Sequence, residues 1–226
     1  MSQVVPFRHD EQGNHVQQLA ELGLRAEYFD RTVRLGEDAR DGATQDDANN
    51  APGTLDYLAR VRTLRETLRT EEGWLRHDPQ QSPLSVNPDK TVAIGVLLGD
   101  ARTGLPGNPQ PRSHRPAGVA KEALVARNQD LALFPLPPEP PRRGEVRLND
   151  DEYARLATWY LLTYRYEARE RGTVEVRSEL SLPSSIGPRG KIDDWKQRIL
   201  LPTIRFKKVF DYADGATDFD VPVEEW

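Results

Sequence analysis

The chain has 226 residues, of which 37% are hydrophobic and 30% charged, enough for one ordinary domain carrying extended polar segments. It has no cysteine, which excludes disulfides, thiolate nucleophiles, thiolate zinc sites and iron–sulfur clusters. The net charge of −5 is unevenly divided: residues 1–53 carry ten acids and five bases, residues 54–210 twenty acids and twenty-six bases, and residues 211–226 six acids and no base.

The only methionine is Met1, and no apolar stretch follows it, so no signal peptide is expected. The longest apolar run, around Val92 to Leu98, is too short to span a bilayer. The expectation is a cytoplasmic protein with no membrane association. Arginine outnumbers lysine twenty-five to six, which fits a GC-rich, bacterial coding style and would also suit a phosphate-reading surface.

Leu19, Leu22, Ala26, Phe29 and Val33 recur at spacings of three and four, the period of one helix face. Residues 36–53 are acidic and hold no aliphatic side chain larger than alanine, which predicts a flexible loop. A second helix is expected from the N-cap residue Thr54, with Tyr57, Val61, Leu64 and Leu68 on one face. Together these predict an antiparallel helical hairpin over residues 14–72.

Residues 84–100 read as a β-hairpin: a strand at Leu84 to Val86, turn residues Asn87 to Lys90, and a strand from Thr91 to Leu98. The second strand is apolar on both faces and is expected at the centre of a sheet. Residues 103–118 hold four prolines and three glycines, so helix and interior strand are both closed to them. They are expected to run extended over a surface, either as a docking arm or as a linker. A helix over 119–131 follows, then a second Pro-rich segment, 134–145, as a stiff spacer.

Residues 149–172 predict a long helix, capped by Asn149 or Asp150 and ended by Gly172. Tyr153, Leu156, Ala157, Tyr160, Tyr164 and Ala168 form one stripe, and Trp159, Leu162 and Tyr166 another. A helix apolar on two faces is covered on two, by the rest of the domain or by a partner. Residues 173–182 alternate as a half-buried strand, with Val174, Val176, Leu180 and Leu182 inward and Glu175, Arg177, Glu179 and Ser181 outward. A short helix over 193–201, a strand over 203–210 and an acidic, aromatic tail over 211–226 complete the chain. The fold class expected is α+β in a single domain, 1–226, with a small, mostly antiparallel sheet, an N-terminal helix pair and a long central helix near 150–171.

Three functional readings follow. The first is a non-catalytic accessory or adaptor subunit that docks on a larger protein partner, itself a handler of nucleic acid, through Trp159, Leu162, Tyr166, Pro109, Pro111 and Trp226. The second is a metal-dependent phosphodiesterase centred on Asp100, at the C-terminal end of the central strand where ligands collect in open sheets, with Glu175, Asp194 and Lys196. Each has a simpler structural explanation: Asp100 as a turn residue, Glu175 as a cross-strand charge and Asp194 in a helix first turn. The third is nucleic-acid binding through Arg62, Arg65, Arg69, Arg112, Arg115, Arg142 and Arg143. No zinc-spaced histidines, Walker loop, GxGxxG or GxSxG motif is present, so no metal site and no cofactor are expected.

Overall fold

A computed structural model describes residues 14–128, 144–168 and 172–207. Apolar periodicity in the first seventy residues produces three helices: α1 (Asn14–Glu21), α2 (Ala26–Asp41) and α3 (Ala51–Glu72). A break at Gly23, which takes the left-handed φ of 68°, splits the first expected helix into α1 and α2. α2 and α3 pair as the expected hairpin. The acidic stretch contributes to it, since α2 continues through Asp41 and only residues 42–50 are loop. That continuation has a packing cause: a Cβ at Gly36 would lie 2.5 Å from the Arg60 and Asp56 side chains, so the glycine lets α3 approach.

The sheet has strands β1 (Leu75–His77), β2 (Leu84–Val86), β3 (Val92–Leu98), β4 (Ala157–Ala168), β5 (Thr173–Ile186), β6 (Ile192–Leu200) and β7 (Ile204–Lys207). They lie in the order β1-β2-β3-β4-β5-β6, with β7 also beside β5, and every pairing is antiparallel except β3 with β4. The fold is α+β, with the predicted hairpin at β2–β3 and β3 inside the sheet. β6 and β7 form one edge line along β5, interrupted at 201–203, where the Leu201 N–H donates to the Ser178 carbonyl.

The flexible loop expected over 36–53 is thus shortened at both ends, and two further sequence expectations are corrected. The long helix near 150–171 is instead a six-residue helix, α5 (Asp150–Arg155), followed by β4. Its start is as read, an Asn149–Glu152 capping box, but the segment from Ala157 onward is rich in aromatic and β-branched residues that favour a pleated, buried strand. The expected helix over 193–201 is β6, whose Ile192, Trp195 and Ile199 are buried. Tertiary pairing with β5 overrides local preference there.

One sheet face packs under α1–α3, with Leu64, Leu68, Ile94, Trp159, Leu180 and Ile199 in its core. The opposite face packs under α4 (Val119–Asn128) and α5, with Leu97, Leu124, Tyr160, Leu162 and Trp195. Asn128 ties α4 down: its amide donates to the Thr158 and Pro183 carbonyls, and its oxygen accepts the Thr158 N–H. No helix among the described residues is long and apolar enough to cross a membrane.

Buried charges hold the helix pair to the sheet. Glu37 on α2 accepts from Arg60 Nη2 on α3 at 3.1 Å and from Arg165 Nε on β4 at 2.8 Å. Arg60 also pairs with Asp56, one turn earlier. The Arg60 and Glu37 side chains are 1% and 3% exposed, so neither charge has water as an alternative partner. Replacing Glu37 by Gln leaves two arginines short of countercharge. The expected loss is about 3–5 kcal/mol of unfolding free energy, read from urea midpoints; a loss near zero would show that the pairing is idle.

On the other side of the sheet, Tyr153 of α5 meets His77 of β1, hydroxyl to Nε2, at 2.6 Å. Burial holds the His77 imidazole below its ordinary 6.5. The unfolded chain therefore takes up the proton more readily, so His77 contributes stability that is complete above pH 6.5 and is lost as pH falls through the lowered folded-state value. The urea midpoint should drop between about pH 7.5 and about pH 5.5, and the drop should shrink in His77→Gln. An identical drop in both proteins would contradict this assignment.

Candidate functional site

A cleft lies at the C-terminal end of β3. The β2 ladder stops at Leu84, opposite Gly95. Pro83, which has no N–H to continue it, and the 3₁₀ turn Pro79–Gln81 lead the chain away. Val96 and Leu97 are left with no strand on that side among the described residues, while the Leu98 carbonyl accepts the His114 N–H at 2.7 Å. This notch opens into a cleft of about 690 Å³, within the roughly 300–1,000 Å³ typical of ligand pockets.

One wall is the start of α3 with the end of α2: Arg40, Thr54, Tyr57 and Leu58. The opposite wall is Ser113, Arg115, Pro116 and Lys121, from the Pro-rich segment and α4. Three cations face the cleft, and no carboxylate or histidine lines it among the described residues. Burial, followed by the neighbouring Arg115 charge, holds the Lys121 ammonium below its ordinary value. The first turn of α3 has no acidic residue, and the side chain of its N-cap residue Asn50 makes no cap hydrogen bond. That end of the helix therefore adds positive potential. The Ser113 hydroxyl donates to the Arg115 carbonyl and is engaged in structure. Such a lining suits binding of an anionic group beside apolar contacts.

The second wall stands because residues 103–118 are strapped to the sheet. Glu179 of β5 is fully buried and accepts from Arg198 Nε at 3.0 Å and Nη2 at 2.6 Å, Ser181 Oγ at 2.7 Å and the Gly104 N–H at 2.8 Å. Arg198 Nη2 also donates to the Leu105 carbonyl. Trp195 then holds the next stretch, its indole N–H donating to the Pro111 carbonyl at 2.7 Å and its backbone N–H to Gln110. Ser113 exchanges hydrogen bonds with Ile192. The outward placement expected for Glu179 and Ser181 is thereby corrected: both are buried, under a strap that their own strand gives no hint of.

The residues expected to dock a partner do not converge. Trp159 and Leu162 are both buried, and lie on opposite faces of β4. The stripe that joined them to Tyr166 needed a helical period, and the segment is a strand. Tyr166 is 50% exposed at the far end of β4. Pro111 is buried within the strap, Pro109 is exposed, and Trp226 lies outside the described residues.

The phosphodiesterase set is not assembled either. Asp100 accepts the Arg102 N–H as a turn residue. Glu175 pairs with Arg205, and Asp194 with Ser184. Glu175 and the Asp194 partner Ser185 stand ten residues apart along β5, roughly 33 Å at the usual strand rise. Lys196 is exposed on β6. No group of three His, Asp or Glu side chains that could hold a metal occurs among the described residues. Of the arginines, Arg62, Arg69, Arg112 and Arg115 are exposed, whereas Arg65 is half-buried and paired with Asp78. Arg142 and Arg143 lie outside the described residues.

Among the described residues, Arg115 is thus the one nominated residue that lines the cleft. Arg40, Lys121, Tyr57 and Leu58 were missed, because only the fold brings the ends of three helices to one strand. The cleft lies at the end of β3, and Asp100 beside it is not among the lining residues. No family model, curated protein or solved structure matches the chain.

The strap is open to a direct test. In Glu179→Gln, Arg198 loses its countercharge and the carboxylate no longer draws in the Gly104 N–H. Trypsin is expected to cut after Arg112, whose bond to Ser113 is a tryptic one, about tenfold faster than in the unaltered chain, as local opening becomes easier. Unchanged cleavage would show that the strap is held by something else.

Proposed function

We propose that the protein is a non-catalytic accessory subunit of the cytoplasm that holds a larger protein partner by taking one of its acidic, extended segments into the β3 cleft. One observation carries this reading: Arg40, Arg115 and Lys121 line a partly apolar cleft that has no carboxylate, and no ion pair of theirs occurs among the described residues. Cations that face one cleft with no carboxylate in its described lining repel one another, and an acidic guest relieves that repulsion while covering Tyr57, Leu58 and Leu98. The floor favours an extended guest, because the Val96 backbone faces the side where β2 has ended. The docking residues therefore differ from those nominated by sequence, although the class of function is the same.

The test is fluorescence anisotropy with a labelled peptide of alternating Asp and Val, set against a single-stranded oligonucleotide of equal charge. The peptide should bind, weaken with added salt, and lose about tenfold in affinity when Arg115→Glu and Lys121→Glu are combined, as expected for charges that face the ligand. Tighter binding of the oligonucleotide, with the same sensitivity to those two changes, would replace the protein partner by nucleic acid. No binding of either probe would remove the reading.

A further inference from the structure

The strongest acidic segment that could meet this cleft belongs to the chain itself. Residues 211–226 carry six acids and no base. Within them Asp218, Asp220 and Glu224 alternate with Phe219, Val221 and Val223. In an extended chain that spacing places the acids on one side and the apolar groups on the other. Pro222 falls on the acidic side, at a position from which no N–H can be donated. The cleft has the matching division, with Tyr57, Leu58 and Leu98 supplying apolar surface and Arg40, Arg115 and Lys121 the charge.

The chain is long enough. β7 ends at Lys207, which pairs with Thr173, itself opposite Ala168 of β4, whereas Leu98 pairs with Thr163. Three strand spacings across and five residues along the sheet separate Lys207 from the cleft, roughly 22 Å by ordinary sheet dimensions. The twelve residues from Lys207 to Phe219 span up to about 40 Å when extended. The other acidic stretch is already committed: residues 36–41 are part of α2, and in the following loop the Asp47 carboxylate accepts the Thr44 N–H and hydroxyl.

We infer that residues 218–224 of this chain occupy its own cleft, so that the recognition site is self-covered and a partner's acidic segment must displace them. The inference rests on the cleft being the acidic-segment site proposed above. An intramolecular guest held by a short linker acts at an effective concentration near millimolar, so it competes well even when its own contacts are weak. The tail then works as a filter, excluding weak acidic ligands and admitting those that bind more tightly.

Because the chain has no cysteine, paired substitutions report the contact directly. Leu58→Cys, at an exposed cleft residue, combined with Val221→Cys should give an intramolecular disulfide under mild oxidation. It should form about tenfold faster than the control pair Leu75→Cys with Val221→Cys, in keeping with a raised effective concentration. Leu75 is exposed on β1, away from the cleft. Adding Arg115→Glu and Lys121→Glu should bring the rate down to the control value. Equal rates for the two pairs, or a covalent dimer as the main product, would overturn the inference.

A second measurement needs no cysteine. With Asp218→Asn, Asp220→Asn and Glu224→Gln combined, the full chain should bind the Asp–Val peptide about tenfold more tightly than the unaltered chain. If the peptide binds both proteins equally, the tail is not the occupant, while the recognition reading stands. If it binds neither, the recognition reading is the one that fails.

Discussion

Two buried glutamates, one on each face of the sheet, position the structure around its cleft. Glu37 gathers Arg60 and Arg165 beneath the helices, and Glu179 gathers Arg198 beneath the strap. A buried carboxylate is unfavourable alone and becomes tolerable only when geometry supplies donors from several directions. The elements that supply them are therefore fixed relative to one another. Glu37 ties the α2–α3 pair to β4, which sets the wall of Tyr57 and Arg40. Glu179 ties Gly104 and, through Arg198, Leu105 to β5 and β6, which anchors the segment leading to Arg115 and Lys121. The cleft is the space these two constraints leave at the end of β3.

The Pro-rich strap shows how a sequence unfit for helix or sheet still becomes part of a core face. Proline lacks a donor but keeps its carbonyl acceptor. The segment is held in part through acceptors: the Leu105, Gly107 and Pro111 carbonyls take bonds from Arg198 and Trp195 side chains, while the N–H groups of Gly104, Ser113, His114 and Ala117 donate. A segment that cannot make a ladder can still be fixed by side chains projecting from one.

Much of the architecture could be read from residue patterns, in proportion to how local the cause was. The β2–β3 hairpin, the α2–α3 pair, α4 and the inward set Val174, Val176, Leu180 and Leu182 follow from turn chemistry and periodicity within a few residues. The failures have non-local causes. At 149–172 a sound capping box promised a helix, and the aromatic run that followed satisfied a helical period and a buried strand equally well. At Glu179 strict alternation implied solvent on one side, but that side lies beneath a strap from seventy-five residues upstream. At Gly36 an acidic stretch without large aliphatics resembled loop, yet its glycine leaves the room that the Arg60 and Asp56 side chains of α3 fill. The cleft was hidden for the same reason: Arg40, Tyr57 and Lys121 have no shared pattern and meet only through the topology.

The sheet edges carry a consequence for how the molecule associates. β1 is three residues long and its outer side is bridged by Glu145. On the other flank, β6 is bulged around Pro183 and Ser185 of β5, and the edge line is cut by Pro202 before β7 resumes. Short, kinked and interrupted borders make poor templates for another molecule's strand, so the sheet resists growing sideways into aggregates. The place where β3 has no strand beside it among the described residues is instead the notch at Val96, set between a wall that carries Arg40 and a wall that carries Arg115 and Lys121, so an approaching main chain meets positive charge before it meets the strand.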